Sequence, residues 1–452
     1  MAERFEDSIL TEEISGIIES NQQLPQVQWI CTIHAGDTDI PTYAVLNLDI
    51  LRLYDQQYGD EIRIRVDIDD RHFPTHIYPN KDSLEVTLLR RPVKGEDYQD
   101  DVFRPIEERR FRAVLIDQGD PSIGDSQNRF SRTQREGTET IETIEFQLLD
   151  LALEKLRFKT TGTIMVNTTP ANALRTLLGA ASERLNVDAE ASIRGVDLVP
   201  PSQEKVRDHV IIPHGTKVID LPTYIQTYCG GIYGTGIGQY LQKGIWYIYP
   251  EFNTERFERE EKTLTVINVP ENIMPGIEKT YRYTDNQVII ACTGEVKFRD
   301  DSEALLLNEG SGYRFVDADK VIDHFSVTEN NKTHVKRKDN IREFVSEIRN
   351  AGSKNVLFSP ERITQNRLNQ YSRLARRSGS YLQVDWENSD ESLIYPGMPV
   401  KFLYVLEGEV MELHGVVVQA QHFYMKMNQG SVVSKHKSES ALTLFVRRPF
   451  ND

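Results

Sequence analysis

The sequence predicts an α+β protein that is mainly β, with helices inserted between β regions at the two ends of the chain. Two observations carry this. Several short runs alternate apolar and polar residues as half-buried strands do, most cleanly where arginines and aspartate separate Ile62, Ile64, Val66 and Ile68. Helical spacing is confined to a few windows, of which residues 168–185 are the strongest. Strands of this kind joined by short loops argue an antiparallel sheet or barrel.

In chain order, residues 12–20 fit one short helix. Trp29–Ile33, Tyr43–Leu53, Glu61–Ile68, Leu84–Leu89 and Phe111–Ile116 follow as strands. The polar stretch Asp117–Arg135 is a long loop suited to docking on a partner. Thr140–Leu149 returns to strand, and Leu149–Lys155 has the composition to begin a helix. In TTPANALRTLLGAASERL, Thr169 caps, Pro170 occupies the tolerant first turn, and Ala173, Leu174, Leu177, Leu178, Ala181 and Leu185 make one apolar stripe. Ala189–Asp208 reads as a connection.

The stretch His209–Phe252 joins the two halves. A short strand, Val210–Ile212, turns at Pro213-His214-Gly215; Val218, Leu221, Tyr224, Ile225 and Tyr228 then take helical spacing, with Asp220 as N-cap before Pro222. Gly230 and Gly231 stop that helix, and Gly234, Gly236 and Gly238 lead into the aromatic strand Ile245–Tyr249. The five glycines are candidate structural turns. Tyr233, Trp246, Tyr247 and Tyr249 are candidate core or interface residues.

Beyond it, Leu264–Val269, Thr280–Thr284 and Gln287–Thr293 read as strands, while Asp339–Arg349 and the basic Glu361–Arg377 read as helices. A closing β region starts at Leu382 and contains Met398–Leu406, Gly415–Gln421 and Ala441–Val446. The expected division is a β module over 1–160, a helical insert over 161–240, a β-rich middle over 241–335, a helical segment over 336–380 and a β part over 381–452. SLEVTLLRRP (83–92) and SALTLFVRRP (440–449) echo one another, each closing a β region on Arg-Arg-Pro.

A chain of 452 residues has material for two to four domains. The longest apolar runs fall short of the roughly 18–20 residues of a membrane span, and the N-terminus carries acids where a signal peptide carries bases, so the chain is expected to be made in a cytoplasm. Three widely spaced cysteines, Cys31, Cys229 and Cys292, offer neither a disulfide framework nor a CxxC site and are expected to be buried free thiols. A net charge of −16 disfavours grip on nucleic acid through phosphates, and suits a surface that DNA passes without sticking.

No stretch carries a catalytic signature. The cluster GGIYGTGIG lacks the Lys-Ser/Thr of a P-loop and the spacing of GxGxxG, and it precedes a strand where phosphate binding needs a helix N-terminus; positive φ is the better account of it. Three acid and histidine groups have donors for a cation without the spacing of a known site: Asp67, Asp69, Asp70 and His72; Asp317, Asp319, Asp323 and His324; and His34, Asp37 and Asp39. Alternation along strands and solvation in loops explain them. GxSxG and HExxH are absent from the sequence. No cofactor is expected.

The run PHGTKVIDLPTYIQTYCGGIYGTGIGQYLQKGIWYIYPEFN, with LTVINVPENIMPGIEKTYRY, SGYRFVDADKVIDHF and the earlier ETIEFQLLDLALEKLRFKTTGTIMVNTTPANALRTLLGAASERL, resembles the baseplate or tail hub proteins of tailed bacteriophages. These stretches cover Glu142–Phe325. The resemblance implies two domains similar to the tail-tube subunit in one chain, with three chains closing a pseudo-sixfold ring. It implies as partners a tail tube ring, a central spike or needle protein, baseplate wedge proteins and a tape measure protein, with DNA passing unbound. The place implied is the virion tail, assembled in host cytoplasm, and no catalytic or cofactor residues are implied. Another tail component, such as a distal tail or tube-completion protein, is the alternative. A glycan-degrading enzyme using Glu142, Glu145 or Asp323 is a further one.

Overall fold

The computed structural model describes residues 9–20, 27–92, 107–116, 141–185, 187–202, 204–260, 262–269, 280–293, 298–299, 326–329, 332–335, 379–406, 409–427 and 435–447. Helix α1 (Ile9–Glu19) precedes strands β1 (Val27–Ala35), β2 (Thr38–Pro41), β3 (Ala44–Leu53), β4 (Glu61–Asp69), β5 (Glu85–Pro92), β6 (Glu107–Leu115) and β7 (Ile141–Asp150). Helix α2 (Leu151–Leu156), β8 (Thr160–Thr168), α3 (Pro170–Glu183), β9 (Gly195–Leu198), β10 (Arg207–Lys217) and α4 (Leu221–Tyr228) follow. Next come β11 (Ile237–Gln242), β12 (Ile245–Pro250), β13 (Thr263–Val269), β14 (Tyr281–Tyr283), β15 (Gln287–Thr293), β16 (Phe298–Arg299), β17 (Ser326–Glu329) and β18 (Lys332–Val335). The chain closes with β19 (Gly379–Glu387), β20 (Pro399–Leu406), β21 (Glu409–Lys426) and β22 (His436–Arg447).

Strand pairing returns to its starting point twice. The first circuit runs β1, β5, β6, β7, β4, β3, β21, β22 and back to β1 at Val27 and His436, antiparallel throughout. The second runs β21, β20, β13, β15, β19, β22 and back to β21. Both circuits contain the long β21–β22 hairpin. In β21, residues 409–416 pair with β20 and residues 419–425 with β3, so one strand serves both. The register slips by one residue between Val417 and Gln419, a bulge that re-aims the strand at this transition. Val418 sits in the slip, and its carbonyl accepts the amide of Tyr54 at 3.0 Å.

The alternation read in the sequence decides which faces point inward. Ile62, Ile64, Val66 and Ile68 of β4 are buried with Ile144, Phe146 and Leu148 of β7 in the core of the first circuit, while the residues between them face outward. The second circuit has its own core, from Leu264 and Val266 of β13 to Phe402 of β20 and Leu442 and Leu444 of β22. Helix α1 lies outside it. Leu10 and Ile17 cover Ile267, Ile289 and Leu403, and Glu13 pairs with Arg282 of β14.

Helices α2, α3 and α4 share a third core with β10, β11 and β12. Here Thr169 caps α3, its Oγ1 accepting the amide of Asn172 at 3.2 Å with Pro170 next in line. Asp150 caps α2 through the amides of Ala152 and Leu153.

Several expectations need correcting. The sheets are not purely antiparallel, since β13 pairs in parallel with both β15 and β20, and β9 pairs in parallel with β12. Residues 160–168 form β8, which the sequence reading passed over, and the connection 189–208 contains β9. Pro213-His214-Gly215 is no turn between elements: β10 continues through an irregularity between Ile212 and Thr216, with Gly215 at φ +90°. Asp220 occupies the N-cap position of α4 but makes no side-chain cap; its carboxylate accepts the hydroxyl of Tyr58 at 3.2 Å instead. Pairing also crosses the division drawn by residue number, because β21 and β22 complete the N-terminal circuit. The loop 117–135, the helices expected at 339–349 and 361–377 and the Arg-Pro end of the second echo lie outside the described residues.

Candidate functional site: a buried ion network at the junction

The stretch 209–252 fits between the two circuits. From the first circuit, the loop after β3 reaches it: Tyr58 accepts the amide of Leu241 at 2.8 Å, and the rings of Tyr54 and Tyr240 meet edge to face at 4.9 Å. From the second, the connection between β19 and β20 reaches it through Gln242, whose amide donates to the carbonyl of Ile394 at 2.9 Å.

Charged side chains from all three regions meet at this junction. Arg52 of β3, 1% exposed, donates to both carboxylate oxygens of Asp60 (3.2 and 3.3 Å), to Glu391 Oε2 (2.7 Å) and to the Glu391 carbonyl (3.2 Å). Lys243, in the turn between β11 and β12, bridges Glu391 at 3.1 Å and Glu107 at 2.8 Å. Arg109 of β6 contacts Asp150, Asp60 and Glu107 at 2.9, 3.6 and 3.9 Å. Arg90 of β5 donates to Asp390 at 2.7 Å, and Asp390 in turn accepts the amide of Ser392. Tyr240 donates its hydroxyl to Asp60 at 3.1 Å. Each buried carboxylate therefore faces a cation, which is the condition for keeping such groups ionised inside a protein.

Burial works to raise the Glu391 carboxyl, and Lys243, Arg52 and Arg90 outweigh it, leaving it well below the usual carboxylate range. His422 of β21 is fully buried and takes the opposite course: burial, then Arg52, hold the imidazole well below its usual value. Its Nε2 accepts from Arg52 at 3.3 Å and its Nδ1 donates to Ser440 at 2.5 Å, an assignment fixed by those partners. Ser440 donates onward to Ser389 at 2.6 Å. A serine beside a histidine suggests a nucleophile and its base, but the geometry forbids that role. The nitrogen facing Ser440 carries the proton, the acceptor nitrogen is turned to Arg52, and Ser440 is 3% exposed.

A pH dependence of stability follows, with its sign set by the two groups. His422 is neutral when folded and protonates more readily when unfolded, so its contribution is complete above the unfolded value near ~6.5 and is lost as pH falls below it. Glu391 acts in the same direction at lower pH, losing its contribution as pH falls through the unfolded carboxylate range near ~4.3 and toward its depressed folded value. The urea midpoint is expected to fall between pH 7.5 and pH 5.5, and to fall less in His422→Gln. An equal fall in both proteins would assign the dependence elsewhere.

The predicted site residues occupy the same region with different tasks. Trp246, Tyr233 and Tyr249, at 0%, 1% and 5% exposure, spend their surface inside the chain's own cores and have none left for a partner. Tyr247 is half-buried and stacks on Tyr395 at 6.0 Å in a cleft of about 380 Å³ with Arg256, Arg259 and Lys262. Gly230, Gly231 and Gly236 take φ of +96°, +77° and +103°, whereas Gly234 and Gly238 are not in the left-handed region. A Cβ on Gly238 would lie 2.2 Å from the ring of Tyr249, so the missing side chain there makes room for an aromatic.

The glycine turn also depends on Gln226, which the sequence reading missed. Its side chain accepts the amides of Ile232 and Tyr233 and donates to the Tyr233 carbonyl at 2.6 Å. Nothing local in the sequence marks it.

The acid and histidine groups do not assemble. Among the described residues no three His, Cys, Asp or Glu side chains come together as a metal site. His34 bonds Asp39 and Thr87, and Asp69 pairs with Arg71 at 2.6 Å. Glu142 and Glu145 are half-buried on β7, and the group from Asp317 to His324 lies outside the described residues. Cys31 and Cys292 are buried and Cys229 partly so, all three free. Among the described residues no helix is long and apolar enough to cross a membrane.

No protein-family model and no curated protein matches the chain. Solved structures do. The chain is similar to a tail protein from Neisseria meningitidis MC58 (9% identity, 92% of this chain and 96% of that one, TM-score 0.44). It is also similar to the 43 kDa tail protein of prophage MuSo2 from Shewanella oneidensis (10% identity, 94% and 97%, TM-score 0.46). A third is an E. coli component of the type VI secretion system, described as structurally similar to the T4 bacteriophage tail proteins gp27 and gp5 (10% identity, 92% and 77%, TM-score 0.41).

Proposed function

We propose that the chain is a structural hub of a bacteriophage tail baseplate, in which three copies close a ring joining the tail tube to a central spike and leaving a passage for DNA. The observation that carries the reading is the pair of closed strand circuits sharing one hairpin. Each circuit is taken as one tube-like barrel module, so three chains would present six, a match between threefold and sixfold neighbours. The sequence echo is consistent with it, its two copies falling on β5 of the first circuit and on β22 of the hairpin that both circuits contain. The buried ion network would fix the angle between modules, as a ring of defined diameter requires. A net charge of −16 suits a passage that DNA crosses without adhering. The chain would then reside in the virion tail after assembly in host cytoplasm, against a tube ring, a spike, wedge proteins and the tape measure.

Negative-stain images of the purified chain test this. Rings with threefold symmetry are expected; sixfold rings would point to a tube-completion protein and overturn the hub reading.

A further inference from the structure

The three-stranded sheet β11–β12–β9 turns its two faces to different cores. Trp246 and Ile248 of β12 point into the third core with Val196 and Leu198 of β9, while Tyr247 and Tyr249 point the other way, toward the core of the second circuit. Strands β9 and β12 run in parallel with Asp197 opposite Tyr247, so the carboxylate shares the tyrosine's face. That face is one wall of the cleft of about 380 Å³, a volume in the range of small-molecule sites. Tyr395, from the connection between β19 and β20, and Arg256, Glu260 and Lys262, which precede β13, make the other walls.

These walls are tied to one another. Tyr395 donates its hydroxyl to the Lys262 carbonyl at 2.6 Å, and Arg256 donates to the Gly397 carbonyl at 2.9 Å and to Glu260 at 3.1 Å. Such bonds hold the cleft in one shape and lower the ordering cost of binding. Two polar groups are left over. Asp197 has no hydrogen-bond or ion-pair partner among the described residues, and neither has Nη2 of Arg256, on a side chain 5% exposed. Partial burial, and then Glu260, raise the Asp197 carboxyl, as expected of an acid kept beside a like charge in a cleft.

This composition narrows the class of ligand. Two carboxylates stand among Arg256, Arg259 and Lys262, so a phosphate chain would meet repulsion along with attraction. An apolar ligand would take water from the charged groups and return nothing. A sugar satisfies every wall: its C–H face covers a tyrosine ring, its hydroxyls donate to carboxylates, and its oxygens accept from a guanidinium. Tyr247 and Tyr395, stacked with centroids 6.0 Å apart, supply the ring surface.

We propose that this cleft binds a saccharide, with one sugar ring against Tyr247 and Tyr395 and its hydroxyls held by Asp197, Glu260 and Arg256. The site lies within one chain and does not depend on ring formation.

Isothermal titration of the full chain with chitotetraose, cellotetraose and maltotetraose tests it. At least one of the three is expected to bind. Asp197→Asn keeps the shape of the side chain and removes its charge, so its circular dichroism should match wild type while binding weakens by at least about tenfold. Tyr247→Leu keeps apolar packing and removes the ring, and should weaken binding with the far-ultraviolet spectrum unchanged. Failure of all three sugars to bind at millimolar concentration overturns the proposal, and so does binding that is unchanged in both variants. Tetraglycine that binds where the sugars fail, and is lost in Asp197→Asn, would assign the cleft to a peptide added along the edge of β9 and overturn the proposal as well. None of these results bears on the threefold ring, so the two readings fail separately.

Discussion

Replacing Glu391 by alanine is expected to cost about 3–5 kcal/mol of folding stability, the usual consequence of removing one partner from a buried ion pair. Glu391 is 1% exposed and holds both Arg52 and Lys243, so the change leaves the buried Arg52 guanidinium with Asp60 alone among its carboxylate partners. Lys243→Ala should cost much less, since that side chain is 25% exposed and solvent screens its loss. Arg52→Met combined with Glu391→Leu should recover part of the single-variant loss, because it removes the under-compensated buried cation while Asp60 keeps Arg109 and the Tyr240 hydroxyl. Urea unfolding of the four proteins decides this. A Glu391→Ala chain within 1 kcal/mol of wild type would show that the network adds little beyond what its members lose on leaving water.

The second large effect concerns the ring of Tyr249, held between two glycines. A Cβ on Gly238 would sit 2.2 Å from Cε2 of that ring, and a Cβ on Gly397 would sit 2.2 Å from Cδ2. Gly397 also has φ +65°, which an alanine adopts at a cost. The ring cannot yield, because its hydroxyl donates to the Tyr54 carbonyl at 2.9 Å and its neighbours are buried. Gly397→Ala is therefore expected to destabilise by about 2–4 kcal/mol, overpacking and backbone strain together, and Gly238→Ala by about 1–3 kcal/mol from overpacking alone. Adding Tyr249→Leu should relieve Gly238→Ala more than Gly397→Ala, since it removes the clash and not the strain. Thermal midpoints measure both. Equal rescue of the two would mean that the positive φ at Gly397 costs nothing.

Elements whose information is local were legible in the sequence. Alternation at Ile62–Ile68 and the Thr169-Pro170 start of α3 each specify their structure within one stretch of chain, and both appear where expected. Strand β8 was not legible because Thr161 and Thr163 share its inner face with Met165, while the apolar Ile164 and Val166 point outward. The parallel pairing of β13 was hidden for a different reason. A strand buried along its whole length, as TLTVINV is, carries no mark of the direction of its neighbours. The ion network is least visible of all, since Arg52 and Glu391 are 339 residues apart and neither has an unusual local setting. The aromatics of 245–249 were recognisable as important, yet only packing could say that Trp246 and Tyr249 face their own chain.

The shared hairpin has a consequence for how the protein is made. Strands β1 and β3 are made well before β22 and β21, with which they pair, Val27 being set against His436. Neither circuit can close until residues near 447 have emerged, so a chain cut short in synthesis would expose open strand edges in both circuits at once.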